Sequence, residues 1–137
     1  MGRQYRVREQ RGSLPIHKTM LEEEIVMRTK EQVLLDIEKS GMVAVVRGET
    51  SEKAMEIVEK CIEGGIQAVE LTFTVPFAHR VIEDLARKYG DQIILGAGTV
   101  LDSETARIAI LSGAEFVVSP HFNSEIVKLC NRYRKAV

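Results

Sequence analysis

The sequence repeats one unit four times: a short apolar run followed by a stretch with helical periodicity. The apolar runs begin near residues 42, 68, 93 and 116, so each unit takes about 25 residues. The segments 65–69 and 113–117, which lead into two of these runs, resemble each other. Apolar strands that alternate with helices are typical of a parallel sheet covered by helices. The chain therefore predicts an α/β fold, either an open doubly wound sheet or a barrel.

The predicted strands are 42–47, 68–74, 93–95 and 116–119. The first is continuously apolar, which predicts a strand buried on both faces. A short helix precedes it and ends at Gly41, and a helix follows each strand. Ser51 is the expected cap of the first of these helices, and Asn123 or Ser124 that of the last. Pro76 suits the first turn of the helix between them.

Polar residues follow every predicted strand. They are Arg47, then Glu70 with Thr72 and Thr74, then the turn 96–99, then the segment 119–121. A barrel gathers its chemistry at the carboxyl ends of all its strands, whereas an open sheet concentrates it at one switch point. No dinucleotide-binding glycine pattern follows the first strand. The pattern favours a barrel, and since a full barrel takes eight strands and about 250 residues, it predicts about half of one.

Composition excludes several classes of protein. Of the 137 residues, 45% are apolar and 28% charged, with a formal net charge of -1, which is typical of one ordinary globular domain. The near-zero charge gives no general attraction to nucleic acid, and no apolar run is long enough to span a membrane. There is no secretory signal, and both cysteines are expected to be reduced, so we expect a cytoplasmic protein. No histidine pair has metal-ligand spacing, and neither a metal nor another cofactor is expected.

Residues 1–26 differ from the rest of the chain. They show no apolar periodicity and begin with an arginine-rich stretch, so we expect a disordered or non-native leader rather than a basic arm for an acidic partner. Three consecutive glutamates stand shortly before Met27, and glutamate codons can contain a bacterial ribosome-binding site. We therefore expect Met27 to be the natural start and residues 27–137 to be the domain.

Glu70 is the first candidate for chemistry because it lies within an apolar strand. Burial raises the pKa of a carboxyl group toward the range useful for proton transfer. Arg47 ends the preceding strand, and its guanidinium can bind a carboxylate or a phosphate. The alternative is that Arg47 is only the salt-bridge partner of Glu70.

Two later strand ends offer weaker signals. Gly96 and Gly98 would let a ligand approach the backbone, and Thr99 supplies a hydroxyl. His121 is the only histidine at a strand end, where an ordinary solvated loop residue is the simpler interpretation. Every lysine from Lys30 onward is expected on a helix. None lies in an apolar strand, where desolvation could lower its pKa enough for attack on a carbonyl.

The segments 69–76, 96–100 and 113–121, in this order and spacing, closely resemble the 2-keto-3-deoxy-6-phosphogluconate (KDPG/KHG) aldolase family. The resemblance covers about residues 28–137. It implies a (β/α)8 TIM barrel that forms a homotrimer and cleaves a phosphorylated 2-keto acid through a Schiff base with a lysine, releasing pyruvate and glyceraldehyde 3-phosphate.

The same resemblance implies roles for individual residues. Glu70 matches the glutamate that relays protons, Thr99 a threonine that holds the pyruvate carboxylate, and Pro120 a proline lining the site. Arg47 matches a substrate-binding arginine of some members. Others carry an arginine where this chain has Thr74, so the resemblance implies that the anion contacts are partly rearranged here.

The Schiff-base lysine of the family lies on a later strand, and no residue of this chain matches it. The resemblance therefore implies the N-terminal half of an aldolase, inactive by itself, with exposed apolar surface that favours oligomers or aggregates. A non-catalytic fragment and a different phosphosugar-binding barrel stay open as alternatives.

Overall fold

The structure is a computed structural model that describes residues 28–137. The expectations for residues 1–26 and for Met27 lie outside the described residues. The helices and strands, in chain order, are α1 (Lys30–Ser40), β1 (Val43–Val46), α2 (Ser51–Glu63), β2 (Ala68–Thr72), α3 (Ala78–Tyr89), β3 (Ile94–Gly98), α4 (Ser103–Leu111), β4 (Phe116–Val117) and α5 (Ser124–Arg132). A single 3-10 turn, Gly90–Gln92, lies between α3 and β3.

The four strands form one sheet in the order β1-β2-β3-β4, and every neighbouring pair is parallel. A doubly wound sheet reverses its strand order at a switch point, whereas a barrel adds each strand beside the last. The sequential order therefore confirms the barrel prediction. Ala136 pairs in parallel with Phe116 of β4, which continues the same order toward a fifth strand.

One face of the sheet is covered by helices α2 to α5. Alternate strand residues point toward these helices, among them Val69, Leu71 and Leu95, and all three are buried. The helices contribute apolar residues such as Val58 and Ile82 to the same cluster. The main core lies between this face and the helices. We call the opposite side of the sheet the inner face.

Helix α1 closes the amino end of the inner face. Val33 of α1 packs against Ala68, Ile94, Phe116 and Ala136, which lie at or near the starts of successive strands. Thr29 caps α1 through a hydrogen bond from the Gln32 amide, and Gly41 ends the helix in the left-handed region, as predicted.

Arg28 fastens the start of α1 to the sheet. Its Nη1 atom donates to the carbonyl oxygen of Ile93 at 2.9 Å and to Oε1 of Glu115 at 2.7 Å. These contacts join the residues that precede β3 and β4, so the amino edge of the inner face is held by both packing and charge.

The prediction that β1 is buried on both faces is wrong. Val45 is 51% exposed, because β1 is the outer strand of the described sheet and its inner face has no cover. Strand β3 also runs through Gly98, so the expected turn 96–99 is mostly strand.

Three local predictions also need correction. Thr50, not Ser51, caps α2, because its side chain accepts the Lys53 amide. Helix α3 starts after Pro76, and Phe77 at its N-cap adopts a left-handed φ of 54°. Lys135 lies beyond α5 rather than on a helix. The Asn123 cap of α5 is confirmed by hydrogen bonds from two backbone amides.

Within the described residues, no helix combines the length and the apolar character that crossing a membrane requires.

We predict that Val33→Ala lowers the free energy of unfolding by about 1.5–3 kcal/mol, because it removes buried methyl groups from the α1–sheet contact. Leu34→Ala is the matched control, since Leu34 is the next residue of α1 and is 50% exposed. Its cost should be about 0.5 kcal/mol. Urea unfolding measures both, and equal losses would show that α1 does not pack on the inner face.

Candidate functional site

The candidate residues from four different strand ends lie along one edge of the sheet. Arg47 follows β1, Thr74 follows β2, Thr99 follows β3, and Pro120 lies beyond β4. Because all four strands are parallel, their carboxyl ends share this edge. The fold therefore places along one edge residues that are more than 70 positions apart in the sequence.

Glu70 is a buried acidic side chain near this edge. It lies in the middle of β2, in register with Val45 of β1 and Gly96 of β3, and is 9% exposed. The Glu70 carboxyl group reaches diagonally across β3, and a methyl group placed on Gly98 would lie 2.7 Å from its Cδ atom. The carboxylate is thus held against the backbone of the neighbouring strand.

Burial raises the pKa of Glu70, and the positive charge of Arg47 partly opposes this rise. Arg47 is exposed, and among the described residues the two side chains form no ion pair. Arg47 therefore acts on Glu70 through its charge alone, which leaves its guanidinium accessible to another anion.

The ends of β2 and β3 present hydroxyl groups beside Glu70. Thr99 adopts a left-handed φ of 55° immediately after β3 and is partly buried. Thr72 is fully buried, and its hydroxyl lies 2.6 Å from the hydroxyl of exposed Thr74. The hydrogen bond between Thr72 and Thr74 therefore joins a buried hydroxyl group to one at the exposed edge of the sheet.

Gly98 was predicted to let a ligand approach its backbone, but side chains of the protein occupy the space beside this glycine and beside Gly96. The room beside Gly98 is filled by the Glu70 carboxyl group, and the room beside Gly96 by the ring of Phe116. Thr72 was noted from the sequence as a polar residue of the second strand, but no role in the site was predicted for it. Its position two residues after Glu70 on one strand, which puts both side chains on one face, was the available signal.

Pro120 borders a separate recess. A cavity of about 500 Å³ lies between the end of β4 and the start of α5, and its lining includes Pro120, His121, Phe122 and Ile126. Glu70 does not line it.

Most lysines of the described residues lie on helices α2, α3 and α5, which cover the face of the sheet opposite the inner face. Four of them pair with glutamates on the helices, and these are Lys53, Lys60, Lys88 and Lys128. Hydrogen bonds to Glu63 and Glu59 raise the pKa of Lys60 and Lys88, respectively. An imine-forming amine needs the opposite shift. Within the same part of the chain, no group of three or more acidic, histidine or cysteine side chains could hold a metal ion.

Comparison with known proteins gives a consistent result. A family model described as "Aldolase: KDPG and KHG aldolase" matches residues 34–137. The 2-dehydro-3-deoxy-phosphogluconate aldolase of Treponema pallidum is 39% identical over 94 residues, which are 69% of this chain and 44% of that protein. The 2-dehydro-3-deoxy-6-phosphogalactonate aldolase of Escherichia coli is 31% identical over 99 residues, which are 72% of this chain and 48% of that protein. The chain spans about half the length of the curated relatives it matches.

Solved structures resemble the chain in the same way. KDPG aldolase from Legionella pneumophila, with pyruvate captured as a covalent carbinolamine, aligns with a TM-score of 0.63 at 26% identity, covering 69% of this chain and 45% of that one. The aldolase of Zymomonas mobilis ZM4 with 3-phosphoglycerate aligns with a TM-score of 0.63 at 28% identity, covering 74% and 49%.

We predict that Glu70 makes stability fall as pH rises. Between the ordinary glutamate pKa of about 4.3 and its raised folded value, the folded chain binds more protons than the unfolded chain. The free energy of unfolding therefore decreases across this window. Glu70→Gln removes this contribution and should flatten the curve.

Glu38→Gln is the control, because Glu38 is exposed on α1. It should leave the slope unchanged in urea unfolding measured from pH 4 to 8. Identical slopes for Glu70→Gln and the unmodified chain would contradict the burial of this carboxyl group.

Proposed function

Because the chain belongs to the KDPG and KHG aldolase family, we propose that residues 28–137 supply the proton-transfer and carboxylate-binding parts of a class I aldolase site. The proposed reaction cleaves 2-keto-3-deoxy-6-phosphogluconate to pyruvate and glyceraldehyde 3-phosphate. The observation that carries the proposal is the Glu70 carboxyl group, buried on the inner face near the edge where strand ends meet.

Glu70 suits proton transfer in both directions. A raised pKa lets its carboxyl group hold a proton closer to neutral pH than an exposed glutamate does. The protonated form can donate to the hydroxyl that leaves when a carbinolamine becomes an imine. The ionised form can then accept the proton of the substrate hydroxyl while the carbon–carbon bond breaks and its electrons pass into the protonated imine.

The neighbouring hydroxyl and cation suit the charged ends of the substrate. Thr99 follows the strand against which the Glu70 carboxylate rests, so its hydroxyl is the proposed donor to the pyruvate carboxylate. Arg47 has no ion-pair partner among residues 28–137 and is the proposed contact for a more distant anion. Thr74 is its proposed neutral neighbour, linked to Thr72.

The proposal places the reactive amine outside the described residues. Imine formation needs an unprotonated lysine near neutral pH, whereas an ordinary lysine has a pKa of about 10.4. The lysines on helices α2, α3 and α5 instead make ion pairs with glutamates. Residues 28–137 alone are therefore expected to release no pyruvate from the sugar acid.

Association is also part of the proposal. At one outer strand Met42 is 61% exposed and Val45 51%, and near the other Val118 is 38% exposed. Apolar side chains at uncovered sheet edges favour association. We therefore expect the 137-residue chain to form oligomers or aggregates, and a complete protein of this family to form a homotrimer.

We predict that Glu70→Gln lowers kcat by about 10²–10⁴ in a protein that joins residues 28–137 to the lysine-bearing strands, with KM much less affected. Glutamine keeps the shape of the side chain and removes its proton transfer. Steady-state release of pyruvate measures the effect. Glu49→Gln is the control, because Glu49 is an exposed acid in the loop after β1. Normal turnover by Glu70→Gln would overturn the proposed function.

We further predict that Thr99→Val weakens pyruvate binding roughly 10- to 100-fold, since it removes a hydrogen bond to a charged group. Valine is also β-branched, so the left-handed backbone of residue 99 is equally unfavourable in both forms. Thr99→Ser restores the hydroxyl and should restore the affinity. Binding is measured by titration calorimetry, and unchanged affinity for Thr99→Val would exclude this contact.

A further inference from the structure

Strand β3 carries two glycines on the inner face of the sheet. Gly96 and Gly98 are separated by Ala97, which packs with the main core under the helices. Both glycines lie within regular strand, and neither has the positive φ that favours glycine in turns. Backbone conformation therefore does not explain them, and the reason must be the missing side chain.

Each of these glycines makes room for a different neighbour. A methyl group on Gly96 would overlap the ring of Phe116, which reaches over from β4. A methyl group on Gly98 would overlap the carboxyl group of Glu70, which reaches over from β2. One glycine thus accommodates a core ring and the other a charged group.

The absence of a side chain at Gly98 determines how closely the Glu70 carboxyl group approaches the backbone of β3. The Cδ and Cγ atoms of Glu70 would lie 2.7 Å and 2.9 Å from a Cβ atom at this position, closer than two carbon atoms approach without strain. Any larger residue would force the carboxyl group away from the sheet. Because the inner face beside β1 is uncovered, the displaced group would enter solvent.

We infer that Gly98 is a positioning residue, whose lack of a side chain holds the Glu70 carboxyl group against β3 in a poorly solvated place. The inference rests on the proposed function only for what the carboxylate does there. It differs from a role in which Gly98 exposes its backbone to a ligand, because the Glu70 side chain occupies the same space.

The test is the titration of the Glu70 carboxyl carbon by NMR in the 137-residue chain, with Glu70→Gln used to assign the signal. Gly98→Ala should shift the pKa of Glu70 downward, because the displaced carboxylate gains water and loses the burial that raises its pKa. Arg47, which follows β1, is the charged group that acts on Glu70, and its attraction to the carboxylate also lowers the pKa of Glu70.

Gly96→Ala is the matched control, because it adds the same methyl group to the same face of the same strand and displaces Phe116 instead. It should cost stability and leave the Glu70 titration in place. An unchanged titration in Gly98→Ala, or an equal shift in Gly96→Ala, would overturn the inference.

A second measurement covers a Gly98→Ala chain that folds poorly. In a Glu70→Ala background no carboxyl group stands in the way, so Gly98→Ala should lower the urea midpoint far less than it does beside Glu70. Equal losses in both backgrounds would contradict positioning.

The outcomes separate this inference from the proposed function. Normal turnover in Glu70→Gln, together with a shifted titration in Gly98→Ala, would remove the proposed function and keep the positioning role. Lost turnover in Glu70→Gln, together with an unshifted Glu70 titration in Gly98→Ala, would keep the proposed function and remove the positioning role.

Discussion

The alternation of side chains along parallel strands controls the placement of every group in this sheet. On β2 it sends Val69 and Leu71 into the helix-covered core and Glu70 to the inner face. On β3 it pairs this carboxyl group with glycines rather than with side chains of equal size. A shift of one residue in register would bury the Glu70 charge under the helices, among the apolar side chains of the main core.

Charge and burial divide the described residues into two regions with opposite chemistry. On the inner face, desolvation raises the pKa of Glu70 and Arg47 only moderates the effect. On the outer helices, hydrogen-bonded glutamates raise the pKa of lysines such as Lys60 and keep them protonated. The inner face therefore favours the protonated form of its carboxyl group, whereas the outer helices disfavour unprotonated amines.

The sequence indicated the architecture because its signals were local and periodic. Apolar runs at regular spacing predicted parallel strands. Glu70 was a candidate because it is a charged residue inside one of these apolar runs. The solvent exposure of Val45 was not predictable, since it depends on which elements pack beside β1. The use of Gly98 was hidden for the same reason, because its space is occupied by a residue 28 positions earlier.

The central claim is that residues 28–137 provide proton transfer and carboxylate binding, and that the amine comes from elsewhere. Reductive trapping with pyruvate and borohydride tests it most directly, in a protein that joins these residues to the lysine-bearing strands. Peptide mapping by mass spectrometry should find one pyruvate adduct, outside residues 28–137, and Glu70→Gln should slow its formation. An adduct on a lysine within residues 28–137 would contradict the account.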